Sequence, residues 1–155
     1  MTELEVGDVA PQFSLPADGG VTLGLAELRG KIVVLFFYPQ DDTPTCTTEA
    51  VDFSRLNAAF KKAGAVVIGI SPDSLAKHEK FKKKHGLATV LAADESRQAI
   101  EGYGVWAEKA MYGRKYMGVV RSTFLIDRDG KIARVWSKVR VAGHADEVLE
   151  AAKAL

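Results

Sequence analysis

An unbroken apolar run in the first third of the chain restricts what this sequence can fold into. Residues 31–38 read Lys-Ile-Val-Val-Leu-Phe-Phe-Tyr, and Pro39 follows directly. A run without polar alternation is typical of a strand covered on both faces, and proline cannot donate the hydrogen bond that would continue it. The rest of the chain must therefore supply a layer on each side of this strand, which favours an α/β fold.

Strand and helix patterns alternate along the remaining sequence. The predicted strands cover residues 65–71, 89–92, 122–127 and 131–137, the last two joined by the turn Asp-Arg-Asp-Gly. The predicted helices cover residues 43–63, 74–85 and 144–155. The first thirty residues indicate a small hairpin or edge strand, and residues 111–118 a glycine-spaced loop. We predict one domain over residues 1–155, with a mixed central sheet flanked by helices on both faces.

Composition and charge exclude several classes of function. The 21 Lys and Arg against 20 Asp and Glu leave no net field that would attract nucleic acid or an anionic membrane. No apolar stretch reaches the roughly 18 residues needed to span a bilayer. Residues 1–8 are acidic and lack the features of a secretory signal, so we expect a cytoplasmic protein. The three histidines show no metal-ligand spacing, and we expect neither a metal nor a cofactor.

The single cysteine, Cys46, is either inert packing or a reactive thiol, because it cannot form an internal disulfide. Thr43 suits the N-cap of the helix that follows, and Pro44 suits its first position. Cys46 then lies in the first turn, where N–H groups without helical partners favour a thiolate. It also lies on the apolar face of the helix, which is typical of packing. This pattern alone supports the two hypotheses, packing and reactive thiol, equally.

A helix end alone does not make a thiol strongly reactive. It contributes about 0.3 to 1 kcal/mol, and up to about 2 kcal/mol in partly buried settings. Glu49, one turn further on, opposes ionisation of the thiol unless a cation neutralises it. Arg121, at the start of an apolar strand, is the best candidate for that cation, and Arg114 is its competitor.

Two long motifs resemble a known family. The run Phe-Phe-Tyr-Pro-Gln-Asp-Asp-Thr-Pro-Thr-Cys-Thr-Thr-Glu-Ala at residues 36–50 is similar to the peroxiredoxin signature Pro-x-x-x-Thr-x-x-Cys. Residues 7–13 and 111–127 also resemble stretches of one subfamily, the bacterioferritin comigratory proteins or peroxiredoxin Q. The resemblance covers essentially the whole chain.

The resemblance implies a thioredoxin-like fold and the reduction of hydrogen peroxide or organic hydroperoxides. It places Cys46 as the attacking thiolate, Thr43 as the hydroxyl that holds the peroxide, and Pro39 as the residue that shields the pocket. Arg121 falls on the guanidinium beside thiolate and peroxide, and we assign Glu49 the supporting task of orienting it. The implied partners are a hydroperoxide and an external thiol such as thioredoxin, glutaredoxin or glutathione. We expect a monomer or weak dimer.

The chain departs from the subfamily pattern at two positions. Thr45 replaces a frequent glycine, and Val51 replaces the second, resolving cysteine that many members carry five residues after the first. We therefore expect a one-cysteine enzyme whose sulfenic acid is reduced by an outside thiol.

Two other functions stay open on the sequence. The first is a peroxide sensor or redox-regulated binding protein that does not turn over efficiently. The second and weaker one is a cysteine hydrolase, which would need His85 or His144 beside the thiol.

Overall fold

The apolar run forms an interior strand of a seven-stranded sheet in a computed structural model that describes residues 4–155. The strands are β1 (Ser14–Ala17), β2 (Val21–Gly24), β3 (Ile32–Phe37), β4 (Ala65–Ser71), β5 (Val90–Ala93), β6 (Trp106–Met111), β7 (Arg114–Val119), β8 (Ser122–Ile126) and β9 (Ile132–Ser137). The helices are α1 (Pro44–Arg55), α2 (Asn57–Lys62), α3 (Leu75–His85), α4 (Gln98–Gly102) and α5 (His144–Lys153), with a 3₁₀ turn at Leu25–Leu28. The prediction for residues 1–8 falls partly on residues 1–3, which lie outside the described residues.

The sheet is mixed, as predicted. Its strand order is β2-β1-β5-β4-β3-β8-β9, with β3, β4 and β5 parallel and the other neighbours antiparallel. Strands β6 and β7 form a separate antiparallel ribbon. All six residues of β3 are buried, in agreement with a strand covered on both faces.

Side chains of β3 alternate between two apolar layers. Ile32, Val34 and Phe36 pack in one layer with residues of α1, α2, α3 and α5. Val33, Leu35 and Phe37 pack in the other with α4, β1 and the 3₁₀ turn. The prediction of helices on both faces of the sheet is confirmed.

Two local predictions are wrong. Residues 111–118 are not a loop, because they contain most of the hairpin formed by β6 and β7. Its turn places Tyr112 and Gly113 at φ 52° and 76°, the left-handed pair that suits the twist of a two-residue hairpin. The helix predicted over residues 43–63 is interrupted at Leu56, whose backbone N–H is shared between the carbonyls of Asp52 and Phe53.

No helix within residues 4–155 is long and apolar enough to cross a membrane.

Candidate active site

The register of the central strands brings Arg121 to the cysteine. Strand β8 runs antiparallel to β3 and pairs Ser122 with Phe37. Arg121, which precedes β8, therefore lies beside the end of β3, where the loop of residues 39–43 leads into α1. This connects two parts of the chain that are 75 residues apart.

Cys46 occupies the first turn of α1 and is 1% exposed. Pro44 takes the first helical position, so the unpaired N–H groups of this turn belong to the residues that follow it. Their partial positive charge favours an anion at the cysteine sulfur.

Thr43 is the N-cap residue of α1 as predicted, but its side chain makes no capping bond. Its backbone is extended, at φ −94° and ψ 154°, and its hydroxyl donates to the carbonyl oxygen of Gln40 at 2.9 Å. The hydroxyl oxygen keeps lone pairs that can accept a hydrogen bond from a ligand. Pro39 lies two residues after the end of β3 and is half-buried, so Pro39 and Thr43 are the first and last residues of the loop ahead of Cys46.

The Arg121 guanidinium connects Cys46 to Glu49. Its Nη2 donates to Cys46 Sγ at 3.2 Å, and its Nη1 donates to Glu49 Oε1 at 2.7 Å. Burial by itself would lower the pKa of Arg121, but Glu49 and Cys46 outweigh it and raise that pKa. Arg121 is thus a permanent cation in contact with the sulfur.

Glu49 is buried in the same cluster, at 1% exposure, and its Oε2 has no hydrogen-bond partner. Burial raises the pKa of Glu49 to about 7, although the Arg121 charge and hydrogen bond lower it. Near neutral pH the carboxyl group is therefore partly protonated. The protonated form leaves the Arg121 charge available to stabilise a thiolate, whereas the ionised form opposes the thiolate.

The alternative cation and the histidines that a cysteine hydrolase would need make no hydrogen bond to the Cys46 sulfur. Arg114 is exposed on β7. His144 Nε2 lies 2.8 Å from Thr123 Oγ1, and His85 Nε2 lies 2.9 Å from Asp42 Oδ1. Within residues 4–155, no three His, Cys, Asp or Glu side chains are grouped so that they could hold a metal ion.

Comparison with known proteins identifies the family. The AhpC/TSA family model matches residues 6–135. Peroxiredoxin Bcp of Bacillus subtilis is 46% identical over 150 residues, which cover 97% of this chain and 96% of the relative. The solved structure of Xanthomonas campestris Peroxiredoxin Q superposes with a TM-score of 0.89 at 42% identity, covering 99% of this chain and 97% of the other. This chain belongs to the peroxiredoxins.

The family membership establishes the reaction class of this peroxiredoxin. It is a thiol-dependent peroxidase that uses a peroxidatic cysteine, a peroxide substrate and a thiol reductant. The thioredoxin-like fold expected from the sequence is confirmed. The motif at residues 36–50 contains Cys46 and the motif at residues 111–127 contains Arg121, and these two side chains are in contact.

Sequence reasoning missed a second cation near the thiol of this peroxiredoxin. Lys109, on β6, donates from Nζ to the carbonyl oxygen of Val119 at 2.8 Å. Burial and the Arg121 charge lower the pKa of Lys109, while Cys46 raises it. The ammonium group is therefore close enough to interact electrostatically with both Arg121 and Cys46. No sequence signal singled it out, because its place depends on the hairpin that was predicted as a loop.

Proposed function

We propose that Cys46 is the peroxidatic cysteine and that its thiolate attacks the terminal oxygen of a hydroperoxide. The sulfur forms a bond to that oxygen while the O–O bond breaks, which gives a sulfenic acid and an alkoxide or hydroxide. The leaving oxygen then takes up a proton to become an alcohol or water. Sulfur is oxidised by two electrons and the peroxide is reduced by two.

The neighbouring residues supply what this step requires. Arg121 and the first-turn N–H groups favour the thiolate and offset charge that develops on the leaving oxygen. The Thr43 hydroxyl donates its hydrogen bond to the carbonyl oxygen of Gln40, so its oxygen can accept the hydrogen bond of the peroxide O–H. Pro39 shields the pocket, and Glu49 orients Arg121 through the 2.7 Å contact.

We further propose a one-cysteine cycle. An external thiol attacks the sulfenic sulfur and releases water, and the resulting mixed disulfide is opened by a second thiol that restores Cys46. Thioredoxin, glutaredoxin or glutathione supplies the thiol. The absence of any second cysteine in the sequence supports this cycle. The work on the alkyl peroxide reduction activity of the Xanthomonas campestris bacterioferritin comigratory protein supports alkyl hydroperoxides as substrates.

The observation that carries the proposal is the 3.2 Å contact between the Arg121 guanidinium and the sulfur. Its test is consumption of hydrogen peroxide with excess dithiothreitol as the reductant. We expect repeated turnover by the wild-type chain and none above the uncatalysed rate by Cys46→Ser. Turnover that survives this substitution would refute the assignment.

A peroxide sensor is the second candidate, and the burial of Cys46 favours it. At 1% exposure, the sulfur is poorly accessible to a bulky reductant, so reduction can be slow after a fast oxidation. The number of cycles separates the two candidates. One oxidation per chain without recycling by small thiols or thioredoxin indicates a sensor, whereas many cycles indicate the peroxidase.

A further inference from the structure

The loop of residues 39–43 must be held in place for the proposed chemistry to work. It carries Pro39 and Thr43, the two residues proposed to shape the peroxide site. Reacting atoms have to meet within about 3 to 3.5 Å, and a misplacement of about 1 Å can reduce a rate about a hundredfold. Hydrogen bonds that fix this loop are therefore candidates for a direct effect on the peroxide step.

Asp41, at the centre of the loop, points into the protein rather than toward solvent. It is 6% exposed. Its Oδ1 accepts from the Tyr38 hydroxyl at 2.6 Å, and its Oδ2 lies 2.6 Å from His78 Nδ1. Its backbone N–H donates to Asp73 Oδ2 at 2.7 Å. Both the side chain and the main chain of the loop are thus bonded to the interior.

The partners of Asp41 come from separate parts of the fold. His78 lies on α3 and is fully buried, and its Nε2 lies 2.9 Å from the carbonyl oxygen of Ala92 on β5. Asp73 also accepts from the Ser71 hydroxyl, at the end of β4, at 2.6 Å. The network therefore connects the loop to the ends of β4 and β5 and to one face of α3.

Both ring nitrogens of His78 face oxygen atoms of this network. Nδ1 lies against the Asp41 carboxyl group and Nε2 against the Ala92 carbonyl group, so the ring is held from both sides. Burial and the Asp41 charge raise the pKa of Tyr38 well above its usual value, so its hydroxyl keeps its proton and donates.

None of these residues bonds to the reacting sulfur or its cation. Arg121 bonds to Cys46 and to Glu49. Asp41 bonds to Tyr38 and His78, and His78 also bonds to the Ala92 carbonyl group. Such an arrangement can act on the loop without changing the charge around the thiol.

We propose that Asp41 and His78 are positioning residues that hold the loop of residues 39–43 in the geometry required for peroxide attack. The proposal rests on the function proposed above. Loss of the pair should slow the reaction of Cys46 with peroxide while leaving the reactivity of its thiolate toward other electrophiles unchanged.

The test compares two reactions of the full-length chain at pH 7. One is single-turnover oxidation of Cys46 by hydrogen peroxide, and the other is alkylation of Cys46 by iodoacetamide. For Asp41→Ala we expect the peroxide rate to fall about 10- to 100-fold, with alkylation within about twofold of wild type. Asp146→Ala, which removes an exposed ion pair with Arg55, is the control and should change neither rate.

Rescue by a conservative variant separates positioning from general loosening. In Asp41→Asn, the amide oxygen still accepts from Tyr38, and the amide N–H can donate to Nδ1 of a neutral His78 whose proton faces Ala92. We expect its peroxide rate within about threefold of wild type. A rate as low as that of Asp41→Ala would overturn the proposal.

Three other results would also overturn it. They are a peroxide rate for Asp41→Ala equal to wild type, a parallel fall in both reactions, and, if Asp41→Ala does not fold, a wild-type rate in Tyr38→Phe, which removes one donor only. Failure of the proposed function has a different signature, because the wild-type Cys46 would then not be oxidised by peroxide at all.

Discussion

Among single residues, we propose that Arg121 favours the Cys46 thiolate more strongly than the end of the helix does. A helix end contributes about 0.3 to 1 kcal/mol, whereas a hydrogen bond to a charged group contributes about 1.5 to 3 kcal/mol. The guanidinium contacts the sulfur directly and is shared with a glutamate that is itself partly protonated at neutral pH. The pocket can therefore hold a thiolate without an unpaired positive charge.

The raised pKa of Glu49 predicts a pH-dependent cost to stability. The pKa of Glu49 is about 7 in the folded protein, against 4.5 for an unperturbed glutamate. The folded state therefore favours the protonated carboxyl group. Its contribution to stability is complete below pH about 4.5 and is lost as the pH rises through 7. A tenfold change in an ionisation equilibrium corresponds to about 1.4 kcal/mol, so the total loss is on the order of 3 kcal/mol.

Glu49→Gln removes the ionisable carboxyl group and with it this pH dependence. The difference in free energy of unfolding, variant minus wild type, should rise between pH 5 and pH 8 when both are denatured with urea. Glu150→Gln, at an exposed position on α5, should give a flat difference. A flat difference for Glu49→Gln as well would show that Glu49 ionises in the folded protein as it does in water.

At the scale of elements, the strands of the centre were predictable because burial on both faces produces continuous apolar sequence. Residues 32–37 and 65–71 carry this signal and form β3 and β4. The hairpin of β6 and β7 carries none, since its residues are mostly exposed and charged residues interrupt its apolar ones. The break at Leu56 was also invisible, because apolar spacing continues across it.

Packing between β3 and β4 depends on a glycine. Gly69 lies opposite Phe36 in the register, and a Cβ there would come within 2.6 Å of Phe36 Cζ and 3.1 Å of Leu91 Cδ2. Phe36 cannot yield easily, because it stacks on Phe53 of α1 with ring centroids 4.6 Å apart. We expect Gly69→Ala to lower the free energy of unfolding by about 1 to 3 kcal/mol in urea denaturation.

Gly102→Ala is the matched control for this substitution. Its nearest neighbour would be Pro11 Cβ at 3.9 Å, an ordinary contact. Replacing a glycine at a compatible position reduces the entropy of the unfolded chain, so the variant should be neutral or more stable by up to about 1 kcal/mol. Equal stabilities for the two variants would contradict the packing argument.

At the scale of the whole molecule, the site is made by topology. The sequence nominated two arginines, and the antiparallel pairing of β8 with β3 places Arg121 at the thiol while Arg114 lies exposed on the hairpin. Contacts of this range cannot be derived from spacing along the chain. Lys109 and His78 were missed for the same reason. In the sequence, His78 belongs to a lysine-rich helix that is typical of a solvated surface, and only the packing of α3 against the loop shows that it is buried. The single-domain organisation over residues 1–155 and the monomer or weak dimer stay predictions.

We propose that the contact with Arg121 makes the Cys46 sulfur reactive toward peroxide. The most direct test is the single-turnover rate of Cys46 oxidation by hydrogen peroxide at pH 7 in Arg121→Met and in the matched variant Arg114→Met. Removal of one preorganised hydrogen-bond donor from an active site typically costs about 100- to 1000-fold in rate. We predict a loss of that size for Arg121→Met and a wild-type rate for Arg114→Met. A rate for Arg121→Met within about twofold of wild type would show that Arg121 does not activate the thiol.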